Sequence, residues 1–89
     1  MKFKIVYLPD AIKDIDKLIK SGNQPLLKKF RKLIQELEEH PETGTGKPER
    51  LRNNLSGFWS RRISQEHRLV YSIEREKVIV TVVSAFDHY

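Results

Sequence analysis

Phe3, Ile5 and Tyr7 alternate with Lys2, Lys4 and Val6, and this alternation predicts a short strand with one apolar face. Pro9 then opens a stretch in which Ala11, Ile12, Ile15, Leu18 and Ile19 recur at helical spacing. Ser21-Gly22-Asn23 closes it, with Gly22 as a natural stop. Leu8 has no side-chain oxygen to cap the first turn, so the start is marked poorly. A second helix is predicted over 24–39, with Leu26, Leu27, Phe30, Leu33, Ile34 and Leu37 on one face. Asn23 supplies its cap, Pro25 sits in its first turn, and Pro41 follows its end. Two such helices joined by a tight turn form a hairpin that needs a surface to cover.

Residues 40–57 hold three of the four glycines and two of the four prolines. A turn-rich connection of that length inside a small domain is more often functional than idle. Three strand candidates follow, at Phe58–Ile63, Arg68–Ile73 and Val78–Phe86, with Ser64–His67 and Glu74–Lys77 as hairpin loops. The last is so apolar and β-branched that a central strand, buried on both faces, is expected. The pattern reads as an α+β fold. An N-terminal strand and a two-helix hairpin precede antiparallel strands, making a twisted four-stranded sheet with the helices on one face.

The length, 89 residues, allows a single domain spanning 1–89 with a thin stability margin. Without cysteine the chain has no disulfide, zinc–thiolate site or thiol nucleophile. No apolar run approaches a membrane span, and the N-terminus lacks a signal peptide's apolar stretch. A cytoplasmic protein with no membrane partner is expected.

The formal net charge is +5. Between residues 41 and 68, Lys47, Arg50, Arg52, Arg61, Arg62 and Arg68 outweigh Glu42, Glu49 and Glu66. Arginine predominates there, and its planar fork suits phosphate better than lysine's point charge. Such a segment fits a polyanionic partner, and equally a solvated basic surface.

Gly44-Thr45-Gly46-Lys47 echoes a phosphate-binding loop, but Pro48 follows the lysine and no helix does, so the glycines are read as turn residues. His40, His67 and His88 have no metal-ligand spacing, no metal or other cofactor is implied, and no serine lies in a nucleophile elbow. Glu49, the arginines Arg61, Arg62 and Arg68, and the final His88-Tyr89 remain. RNA cleavage by its own 2′-hydroxyl needs a base, cations for the developing phosphate charge, and an acid for the leaving 5′-oxygen. A carboxylate, an arginine and a histidine meet those needs.

The run from Gly46-Lys47-Pro48-Glu49 through Gly57-Phe58-Trp59-Ser60-Arg61-Arg62 and Glu66-His67-Arg68-Leu69-Val70-Tyr71 to His88-Tyr89 resembles the YoeB/Txe toxins of the RelE superfamily. The resemblance is close over residues 40–89. It departs in Arg50, where the pattern has proline, and in a first helix without aromatics. It implies a RelE-like fold and a toxin that cuts mRNA in the ribosomal A site. The implied partners are the ribosome with its mRNA, a YefM-like antitoxin, and operator DNA through the antitoxin complex. Whether the free toxin is a homodimer is left open.

By the same resemblance, Glu49, Arg68 and His88 are the catalytic positions, with Arg62 and Tyr89 in support; the neighbouring cations Lys47 and Arg61 join Arg62 and Tyr89 as substrate-binding candidates. Adjacent strand residues point to opposite faces, so at most one of Arg61 and Arg62 can line the site. The resemblance favours Arg62. Two alternatives remain: a toxin of the same fold that poisons gyrase, and a non-catalytic module binding RNA or an acidic protein.

Overall fold

Residues 2–85 are described by the computed structural model. Strand β1 (Lys4–Tyr7) leads into helices α1 (Pro9–Lys20) and α2 (Gln24–Glu39). Strands β2 (Glu49–Arg50), β3 (Trp59–Arg62), β4 (Arg68–Glu74) and β5 (Ile79–Ser84) follow. They form one sheet in the order β1-β5-β4-β3-β2. β1 runs parallel to β5, and every other neighbouring pair is antiparallel. The α+β class and the helical hairpin follow the sequence pattern.

The sheet has five strands, not four. The extra one is Glu49–Arg50, two polar residues inside the connection expected to be a loop. No alternation of their own marks them. They are strand because β3 presents a free edge on which their backbone can pair. β5 also departs from expectation: it lies inside the sheet, between β1 and β4, but only Val80 and Val82 are buried, while Ile79, Thr81 and Val83 are half-covered. Its helix side is dry and its other face is not.

Local chemistry explains the helix ends. The Asn23 side chain accepts from the Leu26 amide at 3.1 Å and caps α2. Leu8 has no such oxygen; its own amide donates to the Val82 carbonyl at 3.0 Å, tying the start of α1 to the sheet instead. α1 packs chiefly on β5 and α2 on β1. Ala11, Leu18, Phe30, Leu33 and Leu37 meet Leu69, Tyr71, Val80 and Val82 in the core. The apolar stripe of α1 is wider than the surface it covers: Ile12 and Ile19 are each 57% exposed. Among the described residues no helix is long and apolar enough to cross a membrane.

The helices leave the β2–β3 end of the sheet uncovered. There the segment after α2 takes their place.

Candidate functional site

Strand register builds the cluster. Glu49 on β2 lies opposite Ser60 on β3, and two residues further along β3 Arg62 lies opposite Arg68 on β4. Side chains two apart on a strand share a face, so Glu49, Ser60, Arg62 and Arg68 all belong to the face turned from the helical core. The Arg68 guanidinium donates to Glu49 Oε1 at 3.3 Å. The Glu49 side chain is more than half exposed, whereas Arg68 is mostly covered. Arg62 is exposed. The Ser60 hydroxyl between them is buried, with no hydrogen-bond partner among the described residues. An accessible carboxylate can accept a proton, and the guanidinium groups of two arginines on the same face can hold an anion.

Arg61 goes the other way. It is fully buried on the helix side, which removes it from the substrate-binding candidates; a guanidinium without access to solvent cannot meet a phosphate chain. Its planar fork is occupied throughout. Nε donates to the Tyr71 hydroxyl (3.2 Å), and Nη1 to Glu36 Oε1 (2.8 Å) and the Thr45 carbonyl (3.4 Å). Nη2 donates to the carbonyls of His40 and Thr43, each at 2.6 Å. The Tyr71 hydroxyl in turn donates to the Pro41 carbonyl at 2.7 Å.

This network straps residues 40–46 against β3. Burial of Glu36 opposes its ionisation, but the hydrogen bonds from Thr45 and the bond and charge of Arg61 outweigh that and hold its carboxyl below the usual range. Burial raises the Tyr71 phenol above its ordinary value, with Arg61 pulling partly the other way.

Two glycines make the close approach feasible. Gly46 has φ +85°, and a Cβ there would lie 2.8 Å from the Arg62 carbonyl oxygen. Gly44, at φ +118°, would direct its Cβ into the Glu36 carboxylate. The Arg62 amide donates to the Gly46 carbonyl at 2.6 Å, so the loop runs along β3 before delivering Glu49 to the edge. The turn reading of this glycine pair is therefore right in kind, and its purpose is contact with β3 and α2. Lys47, exposed and at φ +52°, sits on the same approach.

His88 and Tyr89 lie outside the described residues. Within them no three His, Asp or Glu side chains gather in a metal-binding arrangement. Glu36 and Tyr71 were missed in the sequence because each reads as an ordinary member of its element. A charged residue in alternation with Trp59, Leu69 and Tyr71 was the available clue: an arginine on the core side of β3 needs a buried acceptor.

Residues 7–89 match the sequence profile of the YoeB-like toxins of bacterial type II toxin–antitoxin systems. Toxin YoeB of Escherichia coli (strain K12) is 49% identical over 55 residues, an alignment spanning 62% of this chain and 66% of that one. The YoeB/ParE toxin from Agrobacterium tumefaciens superposes with a TM-score of 0.87 at 31% identity, covering 98% of this chain and all of that one. The Staphylococcus aureus YoeB–YefM complex gives 0.80 at 34% identity, with both chains fully covered.

Proposed function

The chain belongs to the YoeB-like toxins of bacterial type II toxin–antitoxin systems, and on that premise we propose that it is a ribosome-dependent endoribonuclease that cuts mRNA in the A site without a metal. The observation that carries this reading is the placing of Glu49, Arg62 and Arg68 on one face of three paired strands, with Glu49 and Arg62 exposed.

The Glu49 carboxylate takes the proton of the 2′-hydroxyl, and the freed oxygen attacks the adjacent phosphorus. Arg68 and Arg62 hold the phosphate oxygens and stabilise the charge that grows on them in the transition state. The bond to the 5′-oxygen breaks, and that oxygen leaves with a proton from His88. One product ends in a 2′,3′-cyclic phosphate, the other in a 5′-hydroxyl. In the free protein Arg68 rests on Glu49; a bound phosphate takes over the guanidinium and releases the carboxylate for the hydroxyl. Tyr89 and Lys47 bind the flanking strand. The YoeB–YefM assembly of the S. aureus relative supports a YefM-type antitoxin as the natural partner.

The test is cleavage of mRNA on programmed ribosomes in EDTA, for the native chain, Arg68→Ala and Glu49→Gln. The expected result is cutting by the native chain with 5′-hydroxyl ends, and a loss on the order of a hundredfold or more in each variant. Full activity in both variants overturns the mechanism. A 5′-phosphate product that requires added magnesium points to metal-assisted hydrolysis.

A further inference from the structure

Turning the edge strand over exposes a second feature. Arg50 follows Glu49, so it projects to the opposite face, and it pairs directly with Trp59. Its guanidinium carbon stands 5.4 Å from the centre of the indole ring. The pair borders a groove of about 1070 Å³ at the β2–β3 end, which the helices leave uncovered. Trp59 and Ile73 form its apolar floor, and Arg52 and Asn53 lie on the loop that walls one side. On the opposite side Arg75 is paired with Glu42. Glu49 belongs to the rim of this groove as well as to the cluster on the other face. One strand two residues long separates them.

We propose that this groove is a nucleotide subsite, in which an unpaired RNA base stacks on the Arg50–Trp59 platform while Arg52 meets its phosphate. The proposal rests on the ribonuclease reading for its position: a chain whose scissile phosphate lies at Arg68 passes over the β2 edge directly into the groove. Its chemistry stands on its own. Every base has a π face, so stacking on an aromatic ring strengthens binding whatever the base, and an arginine plane adds to it. A half-buried indole with a guanidinium above it presents both surfaces together. Asn53 can both donate to and accept from a base edge. The groove is large enough for a nucleotide, since small-ligand sites run to about 300–1,000 Å³.

The chain contains a single tryptophan, so Trp59 emission reports on the groove without interference and without turnover. The probe is a short single-stranded oligonucleotide with 2′-O-methyl ribose, which the proposed chemistry cannot cut. An abasic oligonucleotide of the same length serves as control. The native protein is expected to show a saturable emission change with the former and a much weaker one with the latter. Arg50→Ala should weaken binding about tenfold. Arg50→Lys, which keeps the charge and loses the plane, should behave like alanine. Equal responses to the base-bearing and abasic probes overturn the subsite, as does full affinity in both Arg50 variants.

The nucleotide's source is read on ribosomes. Altered cleavage positions in Arg50→Ala identify the mRNA strand, whereas uniform slowing at unaltered positions, with weakened binding to empty ribosomes, identifies ribosomal RNA. Absence of cleavage by the native chain would overturn the ribonuclease reading while leaving the emission result to decide the groove.

Discussion

Arg62 and Arg68 face each other directly across the β3–β4 ladder. Opposed like charges destabilise a sheet, and the Glu49 carboxylate offsets this on one side, at Arg68. The opposed pair costs the fold some stability, which a bound anion would offset.

Replacing Arg62 should therefore separate stability from activity. Arg62→Ala is expected to leave the unfolding free energy unchanged or raise it by about 0.2–1 kcal/mol. Its kcat on programmed ribosomes should fall at least tenfold. Urea denaturation and single-turnover cleavage on one preparation make the comparison. A variant that loses stability and activity in parallel would make Arg62 a structural residue.

Arg61 should show the reverse. Arg61→Met strands the Glu36 carboxylate and the carbonyls of His40 and Thr43, and the loss of one buried ionic partner destabilises by roughly 3–5 kcal/mol. A domain of this size holds only about 5–13 kcal/mol in total, so the variant should be close to unfolding at 37 °C. Tyr71→Phe removes one donor and should lose a smaller amount, about 1–3 kcal/mol. Chemical denaturation ranks the two; equal, small losses would mean that the strap on residues 40–46 adds little.

Gly46→Ala tests the approach of the loop to β3. The new Cβ meets the Arg62 carbonyl at 2.8 Å in a left-handed backbone, a strain of at least about 1–2 kcal/mol. Because the same loop sets Glu49 on the edge, cleavage should fall by more than stability alone accounts for. Gly22→Ala is the control, with an equally left-handed backbone at φ +71° but open space around it. Similar cleavage in the two would detach the loop from the site.

The strap also sets a pH window. Glu36 titrates below its ordinary value in the folded protein, so its contribution is complete above that value, near 4.5, and fades as pH falls towards the lowered one. Tyr71 titrates above its ordinary 10.0, so its contribution is complete below that pH and is lost as pH rises through the raised value. Unfolding free energy should decline at both extremes. Glu36→Gln should flatten the acid limb only, and Tyr71→Phe the alkaline limb only, as measured by urea midpoints across pH.

Much of the architecture was legible because apolar spacing is a local signal. Asn23, Pro25 and Pro41 mark α2 within a residue of its observed ends. Partners distant in sequence leave no such trace. The strand at Glu49–Arg50 is made by its neighbour, and the depth of Arg61 is decided by Glu36 on another element. Alternation showed that Arg61 and Arg62 must part company, but not which one turned inward. That depended on register. The resemblance favoured Arg62 for the site; the structure puts Arg62, exposed, on the face of Arg68 and buries Arg61 on the other.

The pairing of Lys4 with Ile79 has a consequence in time. The β3–β4 hairpin is local and can close within microseconds, so the two arginines meet early. Among the described strands β1 pairs only with β5, which lies between it and β4, so its place in the sheet waits until β5 has been made. A growing chain that has reached only Glu74 carries the arginine hairpin, yet α1 lacks the strand it rests on. Distant closure of this kind slows folding and falls late in synthesis. The fold is thus closed by β5, the strand that joins β1 and the helices to the arginine hairpin.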